Sequence, residues 1–191
     1  MYHIKAKHNI LTIPNLLSFS RMCLIPFIVW QYAIECRFGF AAILVILSGV
    51  TDIVDGIIAR KFNMVSRFGK ILDPIADKLT QIAVLFCLIT RFHHMVVPLI
   101  VLILKETLAG ILGFILIHKT GIVNGAKWHG KLSTVFLYSL MILHIIWFNI
   151  PPILSDLLIG LSLLFMILSA ALYTASGIRS YACLRHSQLQ Q

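Results

Sequence analysis

Apolar residues run in long blocks along this chain, separated by short polar stretches. A bilayer-spanning helix needs about 20 mostly apolar residues. Six blocks approach or exceed that length: 14–34, 40–59, 72–91, 95–117, 131–149 and 153–177. The connectors between them are short: ECRFG, KFNMVSRFGK, FHHM, HKTGIVNGAKWHGK and NIPP. Pro14 suits a helix start, and Pro151-Pro152 marks a turn into a helix. The opening MYHIKAKHNILT is too short and polar to span and reads as a segment lying in the interface. The block from Ile13 lacks a small-residue cleavage site, so it is expected to remain as a span. The pattern predicts an all-α polytopic membrane protein with six transmembrane helices. It is expected to be one domain over 1–191, with interfacial segment 1–13, six-helix core 14–177 and polar tail 178–191. No internal repeat is evident.

Composition agrees. Hydrophobic residues make up 59% of the 191 and charged residues only 12%, against roughly 25% charged in globular proteins. The net charge of +9 points to topology and anionic headgroups rather than to nucleic acid, because no soluble domain is left to bind it. The basic residues fall on alternate connectors. Lys5 and Lys7, then Arg60, Lys61, Arg67 and Lys70, then Lys119, Lys127 and Lys131, then Arg179 and Arg185 all lie on one side of a six-helix topology. The other side has Arg37 and Arg91. Both termini and the two longer connectors are therefore expected in the cytoplasm, with the protein in the cytoplasmic membrane. Cys23, Cys36, Cys87 and Cys183 are isolated and read as small hydrophobes. His93-His94, the one histidine cluster, reads as a polar connector.

The acids change the picture from a membrane protein to a candidate enzyme. There are seven, and four of them, Asp52, Asp55, Asp73 and Asp77, lie in or at the edge of two consecutive apolar blocks. A carboxylate at the bilayer centre costs about 2.5–3.5 kcal/mol or more, so its default reading is functional. Asp52 and Asp55 share one helix face, and Asp73 and Asp77 share a face of the next. An antiparallel pair of helices would bring all four together near the cytoplasmic surface. Such a cluster repels itself unless cations intervene. All-oxygen ligation suits Mg²⁺, Mn²⁺ or Ca²⁺; neutralisation by Lys and Arg alone is the structural alternative. Gly56 and Ala59 follow Asp52 on its face and remove bulk where a ligand must approach. Gly69 opens the next segment, and Arg60 is placed to grip a phosphate. Metal, small residues and an arginine together suit a pyrophosphate.

In order the segment reads Asp52-x2-Asp55-Gly56-x2-Ala59-Arg60-x8-Gly69-x3-Asp73-x3-Asp77. It resembles the complete signature of the CDP-alcohol phosphatidyltransferase family. Eight specified positions would match by chance on the order of 10⁻¹⁰ per start site at average residue usage. The resemblance extends to the six-helix layout and so covers nearly the whole chain. It implies that Asp52, Asp55 and Asp73 bind divalent metal, Mg²⁺ or Mn²⁺ and two ions. It implies that Asp77 is the catalytic base and a further metal contact, and that Gly56, Ala59, Arg60 and Gly69 hold the CDP part of the donor with Asp52. It further implies a homodimer.

Within that family, TIPNLLSFSRMCLIPF, GKILDPIADKL and LYTASGIRSYA are similar to segments of phosphatidylglycerophosphate synthases and of cardiolipin synthases. The former usually carry Arg-Glu early in the fourth span, where this chain has Lys105-Glu106, and a Gly-Lys-x-x-Thr stretch matched by Gly130 to Thr134. The resemblance implies CDP-diacylglycerol as donor and glycerol 3-phosphate as acceptor, ahead of phosphatidylglycerol and of serine or inositol phosphate. Arg21, Lys105, Lys131 and Arg179 are candidate contacts for an anionic acceptor, with snorkelling to headgroups the bland reading of Arg21 and Arg179. Lys105 and Glu106 are adjacent, point to different faces and need not pair. Asn15 and Ser18 are weaker candidates for nucleotide contacts; either could cap or pack a helix end. Two rival classes fit less well. An aspartate-rich prenyltransferase would have more spans and separated acid motifs. A transporter would show repeats and broken helices at the midplane.

Overall fold

A computed structural model describes residues 13–61, 69–120, 128–147 and 149–188, with the backbone alone described at 13, 14, 55, 59, 60, 70, 71, 116–120, 129 and 178–188. The expected interfacial segment 1–13 falls almost wholly outside these residues. Long helices account for nearly all of the described chain: α1 Ile13–Ala33, α2 Phe38–Lys61, α3 Gly69–Ile89, α4 Val96–Thr120, α5 Trp128–Ile146 and α6 Pro152–Gln188. No strand occurs among the described residues. A short 3₁₀ turn, His93–Met95, leads into α4; both of its histidines are exposed, as a polar connector requires.

The protein is a helical membrane protein. Four segments are long and apolar enough to cross a bilayer, Asn15–Ala33, Phe38–Ile58, His93–Ile115 and Pro152–Gly177, and a shorter apolar helix covers Gly130–Ile146. Helix α3 carries Lys70, Asp73, Asp77 and Lys78 in its first half. Outward-facing Leu16, Phe19, Phe27 and Trp30 of α1 are exposed, the kind of surface that lipid solvates. The last helix continues past its apolar span, which ends at Gly177, through 178–188, so the segment read from sequence as a polar tail is helical there. No proline follows Gly177, and Ala, Leu, Arg and Gln sustain a helix readily.

The chain divides into two compact units, Met1–Phe92 with Ile142–Phe148, and His93–Met141 with Asn149–Gln191. In the first, α1 packs on both α2 and α3. Ala41 and Ala42 of α2 and Ala76 of α3 are fully buried; small residues at such points let helix axes approach closely. Ile28, Val45, Val84, Leu85 and Leu88 fill the remaining core. At the far end of α3 the Arg91 guanidinium lies over two rings, Phe38 at 5.4 Å and Phe92 at 5.2 Å.

In the second unit α6 packs against α4. Its buried residues include Ser155, Ile159, Ser162, Met166 and Ser169. Serines thus recur at every seventh position along the inner face, with larger apolar residues between them. The small positions admit neighbours: a Cβ added at Gly130 would lie 3.9 Å from the Ser169 hydroxyl, and one at Gly113 would lie 3.5 Å from that of Tyr173. Phe136 of α5 stacks on Phe165 of α6 at 4.0 Å.

Candidate active site

The site is built in the first unit, where α1 faces the motif-bearing ends of α2 and α3. Asn15, Ser18 and Arg21 occur at intervals of three on α1, and all are buried. That spacing keeps them on one side of the helix. Arg21 has no exposed side-chain surface, and its Nη1 donates to Asp52 Oδ1 at 2.7 Å. The Ser18 hydroxyl donates to Asp73 Oδ1. One helix thus supplies a cationic donor to the first aspartate of the motif and a neutral donor to the third.

Asp77, one turn after Asp73, is held from its own helix. Gln81 Nε2 donates to Asp77 Oδ2 at 2.9 Å, and Lys78 Nζ lies 3.4 Å from the same oxygen. The partners of Asp52 and Asp73, Arg21 and Ser18, lie one turn apart on α1, so this helix meets an acid of α2 and an acid of α3 along the same stretch. Pro74 sits between the two α3 aspartates and cannot donate to the carbonyl of Lys70. Gly56, one turn beyond Asp52, is half-buried, and Gly69 is buried at the start of α3. The side chains of Asp55, Ala59 and Arg60 lie outside the described residues, although all three positions are helical in α2.

These residues suit a hard divalent cation by their chemistry. The donors are carboxylate oxygens from adjoining helices, and Asp52 keeps 43% of its side-chain surface exposed despite its contact with Arg21. Among the described residues no three His, Cys, Asp or Glu side chains close around one point, a statement that does not include the Asp55 carboxylate.

The other candidates belong to the second unit. Lys105 and Glu106, expected to have no need of each other, form an ion pair at 2.9 Å, and Lys105 Nζ also lies 3.4 Å from Ser133 Oγ. Adjacent Cα–Cβ bonds diverge, but both side chains are long enough to bend back together, and their low exposure rewards pairing. Lys131 is exposed on α5. The side chain of Arg179 lies outside the described residues.

The sequence assigns none of the four partners to an aspartate: Arg21 and Ser18 read as acceptor and nucleotide contacts, and Lys78 and Gln81 carry no assignment. A polar amide four residues beyond an aspartate in an otherwise apolar helix was the available signal.

The CDP-alcohol phosphatidyltransferase family profile matches residues 11–174. The chain belongs to this family. As a CDP-alcohol phosphatidyltransferase it is a membrane-bound transferase of phospholipid biosynthesis. It is 33% identical over 174 residues, 88% of this chain and 97% of the relative, to the CDP-diacylglycerol–glycerol-3-phosphate 3-phosphatidyltransferase of Aquifex aeolicus. A protein of the same name from Rickettsia bellii is 35% identical over 113 residues, 58% of this chain and 62% of the relative. A fusion protein of Schizosaccharomyces pombe, named for cardiolipin synthase (CMP-forming) and a mitochondrial hydrolase, is 44% identical over 85 residues, 44% of this chain and 14% of its own length.

Proposed function

We propose that this enzyme transfers the phosphatidyl group of CDP-diacylglycerol to glycerol 3-phosphate, giving phosphatidylglycerophosphate and CMP. The observation that carries the choice of acceptor is the alignment with the Aquifex relative, which spans 97% of that protein rather than the shared motif alone. The charge-preserving Lys105-Glu106 pair and the Gly130-Lys131-x-x-Thr134 stretch support the same choice.

In this reading Asp52, Asp55 and Asp73 hold divalent metal, Mg²⁺ or Mn²⁺ and two ions, with Asp77 as a further ligand. Bound metal supplies charge neutralisation at the diphosphate and at the departing CMP. Gly56, Ala59, Arg60 and Gly69 accommodate the CDP moiety, Arg60 by bidentate contact with phosphate. Asp77 accepts the proton of the acceptor hydroxyl. The hydroxyl oxygen forms a bond to the lipid-linked phosphorus, the phosphorus–oxygen bond to CMP breaks in line, and the electron pair leaves with CMP. Arg21 neutralises Asp52 across the helix interface. Lys105, Lys131 and Arg179 are the basic residues we assign to the acceptor phosphate, with Arg21 a further candidate. The six helices all span, both termini and the aspartates face the cytoplasm, and the enzyme is a homodimer.

An acceptor screen tests the reading. Purified protein in detergent, with Mg²⁺ and CDP-diacylglycerol, is expected to release CMP and form a lipid product with glycerol 3-phosphate, and to lose both on chelation of the metal. The partial match to the fission-yeast fusion protein favours phosphatidylglycerol as second choice. Product from phosphatidylglycerol alone would replace the proposed reaction with cardiolipin synthesis.

A further inference from the structure

Gln81 of α3 is fully buried. A carboxamide inside an apolar helix is costly unless both of its ends are bonded. Here both are: Nε2 donates to Asp77 Oδ2 at 2.9 Å, and Oε1 accepts from Lys78 Nζ at 3.4 Å. The neighbours settle which end is which. An ammonium only donates, so the amide oxygen must face Lys78; a carboxylate only accepts, so the NH₂ must face Asp77. Lys78 Nζ lies 3.4 Å from Asp77 Oδ2 as well, which closes a triangle of three side chains on one face of α3. Both contacts fall on the same carboxylate oxygen. Together they fix rotation of the Asp77 carboxylate about Cβ–Cγ, and with it the direction in which Oδ1 points.

We propose that Gln81 is a positioning residue for the transfer reaction, holding the Asp77 carboxylate in the one orientation that receives the acceptor's proton, with Lys78 keeping the Gln81 amide from flipping. The inference rests on the reading of Asp77 as the base. A base works only within hydrogen-bond reach and alignment of the proton it takes, and a rotating carboxylate spends part of its time misaligned. A donor-binding role for Gln81 predicts a different signature. Loss of a contact made equally in the ground and transition states raises KM, whereas loss of alignment needed only in the transition state lowers kcat.

The test uses the full chain in detergent with Mg²⁺, CDP-diacylglycerol and glycerol 3-phosphate. Gln81→Met keeps the length of the side chain and removes the donor. Its kcat is expected to fall by about tenfold or more, part of the roughly 10²–10⁴-fold that a general base contributes. KM for CDP-diacylglycerol should stay within about twofold, the mark of a contact that matters in the transition state. Lys78→Met leaves the buried amide in place but removes the donor that holds its oxygen, and is expected to lower kcat by a smaller factor, again without moving the donor KM. Unchanged kcat in a folded Gln81→Met protein overturns the proposal, as does a donor KM that rises in step with the fall in kcat. Should Gln81→Met not yield monodisperse protein, Lys78→Met decides, and an unaltered kcat there is the overturning result. Asp77→Asn, run alongside, separates this inference from the reading beneath it. Near-normal turnover in that variant removes Asp77 as base, whereas an inactive Asp77→Asn beside a fully active Gln81→Met removes only the role of Gln81.

Discussion

The aspartates of the motif differ in the company they keep, and their variants should differ accordingly. Asp52 answers a guanidinium with no exposed surface, whereas Asp73 answers the neutral hydroxyl of Ser18. Asp52→Asn and Asp73→Asn are both expected to abolish CMP release across a Mg²⁺ titration. Only Asp52→Asn also removes the negative charge that faces the buried Arg21 guanidinium, and a hydrogen bond to a charged group contributes about 1.5–3 kcal/mol. Its thermal midpoint in detergent should therefore drop by several degrees relative to Asp73→Asn. Equal midpoints would mean that Arg21 finds another partner or that the pair contributes nothing to folding. The four acids were legible from sequence because an apolar helix makes every carboxylate conspicuous and because their three- and four-residue spacing fixes the shared face. The partners Ser18 and Arg21 read from sequence as candidate nucleotide and acceptor contacts, not as partners of the aspartates. Which aspartate each meets depends on how far one helix slides along another, and no local pattern records that. For Gln81 the reason is the opposite: its partner Asp77 lies one turn away on the same helix, but a neutral amide can pair with many groups and does not by itself single out a carboxylate.

At the scale of the helix, the length of the apolar blocks located all six elements, with most ends within a few residues of the helix bounds. Hydropathy reports burial in lipid rather than helicity, so it marks where the apolar span of α6 ends, at Gly177, and not where the helix ends, at Gln188. The seven-residue recurrence of Ser155, Ser162 and Ser169 escaped notice, since serine in a membrane helix looks like noise until a neighbour packs on it. Helices in lipid associate through close packing and interhelical hydrogen bonds, because lipid tails are as apolar as leucine. A larger residue on this stripe should thus separate α6 from its neighbours. Ser162→Leu, at a buried position, is expected to destabilise the protein by about 1–3 kcal/mol through overpacking. Leu164→Phe, on the exposed side of the same helix, is expected to have little effect. Denaturant unfolding followed by loss of helical signal compares the two; similar stability for both would show that the stripe is not a packing surface.

Across the whole chain, the distribution of basic residues constrains how many helices cross. Helix α3 decides the count, because Lys70, Asp73, Asp77 and Lys78 all fall in its first half. Suppose that only the four most apolar segments span, with the N-terminus inside. The connector between α4 and α5, with Lys119, Lys127 and nearby Lys131, would then lie outside, against the tendency of short basic loops to remain in the cytoplasm. If α3 spans too, the same connector returns inside. The contacts of Ser18, Gln81 and Lys78 with the α3 aspartates lower the cost of placing those acids in a helix that enters the bilayer. We therefore predict opposite exposure for two single-cysteine proteins. In the first, Cys23, Cys87 and Cys183 are replaced by serine and Cys36, exposed between α1 and α2, is retained. In the second all four native cysteines are replaced and Ala126→Cys marks the connector between α4 and α5. An impermeant maleimide applied to intact cells should label Cys36 and should reach the second cysteine only after the membrane is opened. Labelling of both in intact cells would show that α3 does not cross, and labelling of the second alone would reverse the orientation and put the aspartates on the outer face.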